Sequence, residues 1–188
     1  MDKKSSRINA LKLRKELNTN IASRNILEAI IKSNILADKT NIGIYYPLEN
    51  EIDVLGLLDV YKDKNFYLPI TKDEIAFVLY KKGDALVDGL FKTKEPKGTT
   101  INKKDIDAFI IPCVAISKDN RRLGYGKGYY DKYLSNYNGI KIGVCYKELT
   151  NLDIETEMHD IKLDYIFMGW YFDKRNITYG WKRLKNEC

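Results

Sequence analysis

Apolar residues recur along this chain in two rhythms. In residues 23–32, Ile26, Leu27, Ile30 and Ile31 fall three and four apart, which predicts a helix with one buried stripe and Ser23 as its N-cap. Residues 5–18 predict an earlier helix, with Leu11 and Leu17 on its apolar side and Arg7 and Arg14, seven apart, sharing another face. Short runs rich in β-branched and aromatic residues predict strands at 41–46, 65–70, 75–80, 108–114, 140–146 and 163–168. Helices are expected at 52–61, with Asp53 as N-cap, and at 129–136. The stretches 81–84 and 98–104 are polar connectors.

Strands alternating with helices predict an α/β fold: a mainly parallel sheet flanked by helices, with a ligand cleft at the C-terminal ends of the strands. No repeat or linker divides the sequence, so residues 1–188 are expected to form a single domain. Residues 173–188 make a basic, aromatic tail, expected to be a docked or frayed terminus.

Composition narrows the class without naming a function. The chain has 188 residues, 44% hydrophobic and 31% charged, enough to bury a sizeable core. Its apolar runs are too short to cross a membrane and nothing at the start resembles a secretion signal, so a cytoplasmic protein without a membrane partner is expected. Cys113, Cys145 and Cys188 are odd in number and form no C-x-x-C, which fits free thiols, and one histidine makes a zinc site a poor fit. The net charge of +6 is spread among interleaved acids, a solvated surface rather than a nucleic-acid footprint.

The chemistry concentrates in Arg122-Leu-Gly-Tyr-Gly-Lys-Gly-Tyr-Tyr-Asp131. Gly124, Gly126 and Gly128 let a ligand approach bare N–H groups, while Lys127 and Arg122 add charge suited to phosphate. Asp131, about one helical turn on, could hold a divalent cation. The run fits neither the dinucleotide fingerprint nor the P-loop, and on spacing alone a structural turn remains the competing reading.

These residues, preceded by the apolar strand from Ile110, resemble the signature of the 5-formyltetrahydrofolate cyclo-ligase (methenyltetrahydrofolate synthetase) family. Further marks follow in the family's order over about residues 8–168. They are a basic first helix ending Leu13-Arg14, the turn from Tyr46 through Glu51 to Asp53, the pair Glu95-Pro96, and His159-Asp160 followed by Asp164. The resemblance implies conversion of 5-formyltetrahydrofolate to 5,10-methenyltetrahydrofolate with ATP as co-substrate and Mg²⁺. It implies that Arg14 and residues 122–130, namely Arg122, Leu123, Gly124, Tyr125, Gly126, Lys127, Gly128, Tyr129 and Tyr130, line the ATP phosphates, with Lys127 and Arg122 catalytic. Tyr46, Glu51 and Tyr125 to Tyr129 would contact the folate, and Asp131 and Asp160 the metal. One departure stands out: Ala10 occupies the place of a lysine four residues before the arginine.

The remaining candidates read blandly. Trp170 and Trp181 suit packing, Cys113 and Cys145 suit buried strand positions, and His159 suits an ordering role beside Asp160. A monomer acting on small molecules is expected. Two rivals stay open: another phosphate-binding α/β enzyme of sugar-phosphate isomerase or transferase type, and a non-enzymatic nucleotide-binding module.

Overall fold

The computed structural model describes residues 1–169 and 181–183. Two helices come first. Helix α1 (Lys3–Arg14) starts earlier than its apolar pattern suggests because the Asp2 carboxylate caps it, accepting from the backbone N–H of Lys4 at 2.9 Å and Ser5 at 3.0 Å. Helix α2 (Thr19–Ser33) is capped by Asn18, not Ser23, and ends on Asn34 in the left-handed region at φ 58°. Ser23 lies within the helix, where its hydroxyl accepts from the Asp53 N–H at 2.8 Å.

The strands are β1 (Asn41–Gly43), β2 (Asn65–Thr71), β3 (Ile75–Tyr80), β4 (Leu86–Asp88), β5 (Lys94–Pro96), β6 (Thr100–Ile101), β7 (Ala108–Pro112), β8 (Ala115–Ile116), β9 (Arg122–Leu123), β10 (Ile140–Tyr146), β11 (Tyr165–Gly169) and β12 (Trp181–Arg183). Eight build one sheet in the order β12-β11-β10-β7-β1-β2-β3-β6. Its middle, from β11 to β2, is parallel, and β12, β3 and β6 join antiparallel at the two edges. The expected mainly parallel α/β sheet is therefore what the chain forms. Phe77, Phe109 and Phe167 are fully buried within it, and Ile26 and Ile30 of α2 join the same core, each contributing roughly 1.5–3 kcal/mol on burial.

Three expectations need correction. The helix expected at 52–61 shrinks to one turn, α3 (Leu57–Val60), begun at Gly56; Asp53 instead accepts from the Leu55 N–H at 2.8 Å in a tight turn. The helix expected at 129–136 is only α4 (Tyr129–Tyr133), too short to carry much dipole. The glycine loop does not follow β7 directly: a β8–β9 hairpin intervenes, and β4 and β5 form a second hairpin that the polarity of the region concealed. Glu95 belongs to that second hairpin; buried, it accepts from the Thr71 N–H at 3.0 Å, which explains it as structure. Trp170 lies outside the described residues, as does the tail apart from β12, which pairs with β11.

Candidate active site

Three segments meet beyond the carboxyl ends of β1, β7 and β10: the turn 44–51, the glycine loop 124–128 and the segment 153–161. The strands set their positions. Being parallel and in register, they deliver all three connections to one edge of the sheet.

The turn carries Glu51. Asn50 takes φ 60°, a value that asparagine tolerates, and this folds the Glu51 carboxylate back into the protein. There Oε2 accepts from the Leu48 N–H at 2.8 Å and Oε1 accepts from the Tyr125 hydroxyl at 2.9 Å. Arg14 completes the group. Its Nε donates to the Asn50 carbonyl at 3.1 Å, Nη1 donates to the Tyr125 hydroxyl at 3.3 Å, and Nη2 lies 4.0 Å from Glu51 Oε1. Burial, the Glu51 charge beside it and the hydrogen bond it donates to that carboxylate push the Tyr125 hydroxyl well above its ordinary range.

The loop is held from two sides. Below it, buried Arg122 donates from Nε to the Pro112 carbonyl at 2.9 Å, and its guanidinium lies 4.8 Å from the Tyr130 ring centroid. Arg122 also packs so close to Gly124 that a Cβ there would sit 2.3 Å from Nη1. Above the loop, Arg7 of α1 donates from Nε to the Gly124 carbonyl at 2.7 Å and rests against Gly126, which takes φ 95°. Lys127 is exposed at the tip.

The third segment brings the acids. Asp160 is buried and accepts from the Lys3 ammonium at 2.8 Å and from the Glu157 N–H at 2.7 Å; Lys3 also pairs with the Glu157 carboxylate. Burial works against the Lys3 charge, but these two carboxylates outweigh it and raise the ammonium above its usual range. Asp131 is anchored next door, its Oδ1 accepting from the Ile161 N–H at 3.1 Å. His159 is exposed, 3.9 Å from Asp160, so the ordering role expected of it falls to Lys3 and the backbone.

Two clefts flank the loop. One, of about 620 Å³, is lined by Arg14, Tyr46, Pro47, Asn50 and Tyr125. The other, of about 640 Å³, is lined by Gly128, Asp131, His159, Asp160 and Ile161. The model of the 5-formyltetrahydrofolate cyclo-ligase family matches residues 2–169, nearly all of the described chain.

The chain belongs to the 5-formyltetrahydrofolate cyclo-ligase family.

Curated cyclo-ligases agree. The 5-formyltetrahydrofolate cyclo-ligase of Mycoplasma pneumoniae is 30% identical over 174 residues, 88% of this chain and 98% of that protein. The Mycoplasma genitalium cyclo-ligase is 34% identical over 129 residues, 67% of this chain and 70% of that protein. Among solved structures, the 5,10-methenyltetrahydrofolate synthetase of Aquifex aeolicus aligns at TM-score 0.78 and 28% identity, covering 99% of this chain and 94% of that one. The Mycoplasma pneumoniae synthetase aligns at TM-score 0.73 and 29% identity, covering 88% of this chain and 98% of that one.

Cyclo-ligase membership begins at residue 2, not near residue 8, and the structure shows what the first helix contributes. The pair of a lysine and an arginine four residues apart that reaches the loop and its acids is Lys3 and Arg7; Ala10, one turn on, is simply buried. Arg7 stands out in the sequence through the face it shares with Arg14, whereas Lys3 and its pairing with Arg7 do not. The available signal was their spacing, because Lys3, Ser6, Arg7, Ala10 and Arg14 follow one helical stripe. That stripe is polar, and Leu11 and Leu17 drew attention to a different face.

Proposed function

We propose that this cyclo-ligase uses ATP and Mg²⁺ to close the ring of 5-formyltetrahydrofolate, through a phosphorylated formyl intermediate. One observation carries the reading. The glycine loop stands between a cleft walled by Asn50 and Tyr125, with Glu51 buried directly behind the Tyr125 hydroxyl, and a cleft lined by Asp131 and Asp160, so two ligands bound in them would meet across Gly126 to Gly128.

In the first cleft, the Glu51 carboxylate would accept from the adjacent N3–H and 2-amino donors of the pterin, and the Tyr46 ring at the rim would pack on it. In the second, the triphosphate would follow the loop from Leu123 to Tyr130, with Lys127, Arg7 and Lys3 supplying positive charge. Arg122 is buried beneath the loop, and its contribution is to hold Gly124 and Tyr130 in place. The metal site fits on chemistry. Asp131 and Asp160 offer hard carboxylate oxygens, and the Lys3 ammonium already marks the spot beside Asp160 where positive charge is held. When bound there, Mg²⁺ would screen the β- and γ-phosphate oxygens.

The chemistry then needs no protein nucleophile. A formamide oxygen is a poor leaving group, so transfer of the γ-phosphoryl to it yields ADP and makes the carbon electrophilic. N10 attacks that carbon and gives up its proton, and the C–O bond breaks to release phosphate, which carries off the former formyl oxygen and can take up that proton. The protein's work is to align the two ligands and neutralise developing charge. The reading includes a cytoplasmic monomer acting on small molecules; no described helix is long and apolar enough to cross a membrane. The test is the absorbance band of the methenyl product on mixing protein, 5-formyltetrahydrofolate and Mg²⁺. Growth of the band only when ATP is added supports the reading, and a folded protein that gives none under either condition refutes it.

A further inference from the structure

We infer that Arg14 is the positioning residue for Glu51 on the folate side of the site, rather than a ligand of the nucleotide; this rests on the functional reading above. Arg14 is 3% exposed, and a guanidinium so buried is costly unless its surroundings are arranged for it. Those surroundings all belong to Glu51. Asn50, whose carbonyl accepts from Arg14 Nε, is the residue before Glu51 in the same turn. The Tyr125 hydroxyl, which accepts from Nη1, donates in turn to Glu51 Oε1. Tyr146, whose ring lies 5.8 Å from the guanidinium carbon, donates to the same Asn50 carbonyl at 3.0 Å. Arg14 lines the cleft of Tyr46 and Asn50, whereas Gly128, Asp131 and Asp160 line the other. The α1 residues that reach the loop and its acids are already Arg7 and Lys3. Seven residues separate Arg14 from Arg7, about 10 Å along the helix axis, which carries it past the loop to the turn.

The arrangement suggests how the site receives substrate. Glu51 Oε2 is fixed by the Leu48 N–H, while Oε1 is covered by Tyr125, a half-exposed residue on the loop. The tyrosine hydroxyl is the partner that incoming pterin donors can displace. Arg14 is buried and remains, keeping the carboxylate aimed and its charge balanced after the exchange.

The experiment is calorimetric titration of 5-formyltetrahydrofolate and, separately, of Mg·ATP into wild type, Arg14→Met, Arg14→Lys, Glu51→Gln and the double variant Arg14→Met/Glu51→Gln. Arg14→Met should weaken folate binding about ten- to a hundredfold, the range for losing a charged hydrogen-bond partner. It should leave ATP affinity within about twofold, because the described contacts of Arg14 reach none of Gly128, Asp131 and Asp160. Arg14→Lys should recover part of the folate loss, and the double variant should bind folate no worse than Glu51→Gln alone, since the two residues act as one unit. Weakened ATP binding with normal folate binding overturns the inference, as does full additivity in the double variant. If Arg14→Met does not fold, Arg14→Lys decides alone: it keeps the charge but loses the fork, so a several-fold loss confined to folate supports the assignment and an unchanged or ATP-confined effect overturns it. Wild type that fails to bind 5-formyltetrahydrofolate sinks the functional reading and this inference together, whereas wild-type binding undisturbed in Arg14→Met sinks the inference alone.

Discussion

The Tyr125 hydroxyl donates to Glu51 Oε1 at 2.9 Å, linking the tip of the glycine loop to the turn after β1 across 74 residues of chain. This bond closes one wall of the cleft in which the folate is proposed to sit, with Glu51 as its proposed recognising group. The carboxylate is suited to two side-by-side donors because it has no hydrogen to clash with them.

Glu51→Gln keeps size and shape but replaces one acceptor with a donor. With one oxygen already committed to the Leu48 N–H, the amide can accept only one of the two pterin donors well. We expect the KM for 5-formyltetrahydrofolate to rise about tenfold or more, with the KM for ATP nearly unchanged. Steady-state kinetics with each substrate varied in turn checks the split; an effect on both KM values alike would remove Glu51 from pterin recognition.

Gly128 decides whether the loop is a cradle or only a turn. It takes φ 69°, and a Cβ added there would meet nothing within 4 Å. In a structural turn, Gly128→Ala would therefore cost about 1 kcal/mol of backbone strain and leave turnover alone. If phosphate approaches the main chain here, the same methyl group blocks it, and the KM for ATP should rise at least about tenfold, the cost of roughly 1.4 kcal/mol of lost contact. Gly126→Ala is a coarser change, since its Cβ would press within 3.0 Å of the Arg7 guanidinium carbon. Thermal melts beside ATP-dependent rates separate the outcomes.

Lys127→Ala and Asp131→Asn should abolish turnover while leaving the fold intact. Lys127 is exposed, so its truncation should move Tm by no more than about 2 °C. Asparagine at 131 can still present an oxygen to the Ile161 N–H, which preserves the anchor now made at 3.1 Å. Chelating Mg²⁺ should stop wild-type turnover and leave its melting curve unchanged. Wild-type rates in either variant would remove that residue's role.

Much of this was legible in the sequence, for physical reasons that differ by region. Residues 75–80 and 140–146 form strands with the bounds read from their apolar runs, because most of each strand is buried inside the sheet. The glycine loop declared itself through composition. The β8–β9 and β4–β5 hairpins did not, because strands of two or three residues carry too little pattern. The region 52–61 read as helix from Val54, Leu57 and Leu58, yet Asp53 and Gly56 favour turns, so Val54 is buried ahead of the single helical turn that starts at Leu57. The first helix misled in the opposite direction: its buried stripe is Ser6, Ala10 and Arg14, a pattern that hydrophobic periodicity cannot detect because that face serves a polar site.

Alkaline stability offers a last test, of the core beneath the site. Burial pushes the Cys113 thiol up to about 12, against the pull of Arg122 and Arg14, from an ordinary value near 9. Burial likewise raises the hydroxyls of Tyr45 and Tyr130. A raised acid binds its proton more tightly in the folded state. Its stabilising contribution is therefore complete below the unfolded value and is lost as pH climbs toward the folded one. For Cys113 that window runs from about 9 to about 12, with a slope of up to about 1.4 kcal/mol per pH unit. We expect the denaturant midpoint to be flat from pH 7 to 8.5 and to fall steadily above 9. Cys113→Ala should start from a lower midpoint but fall less steeply between pH 9 and 10, before the tyrosines join. An identical slope in that variant would mean that the thiol is not held neutral by the fold.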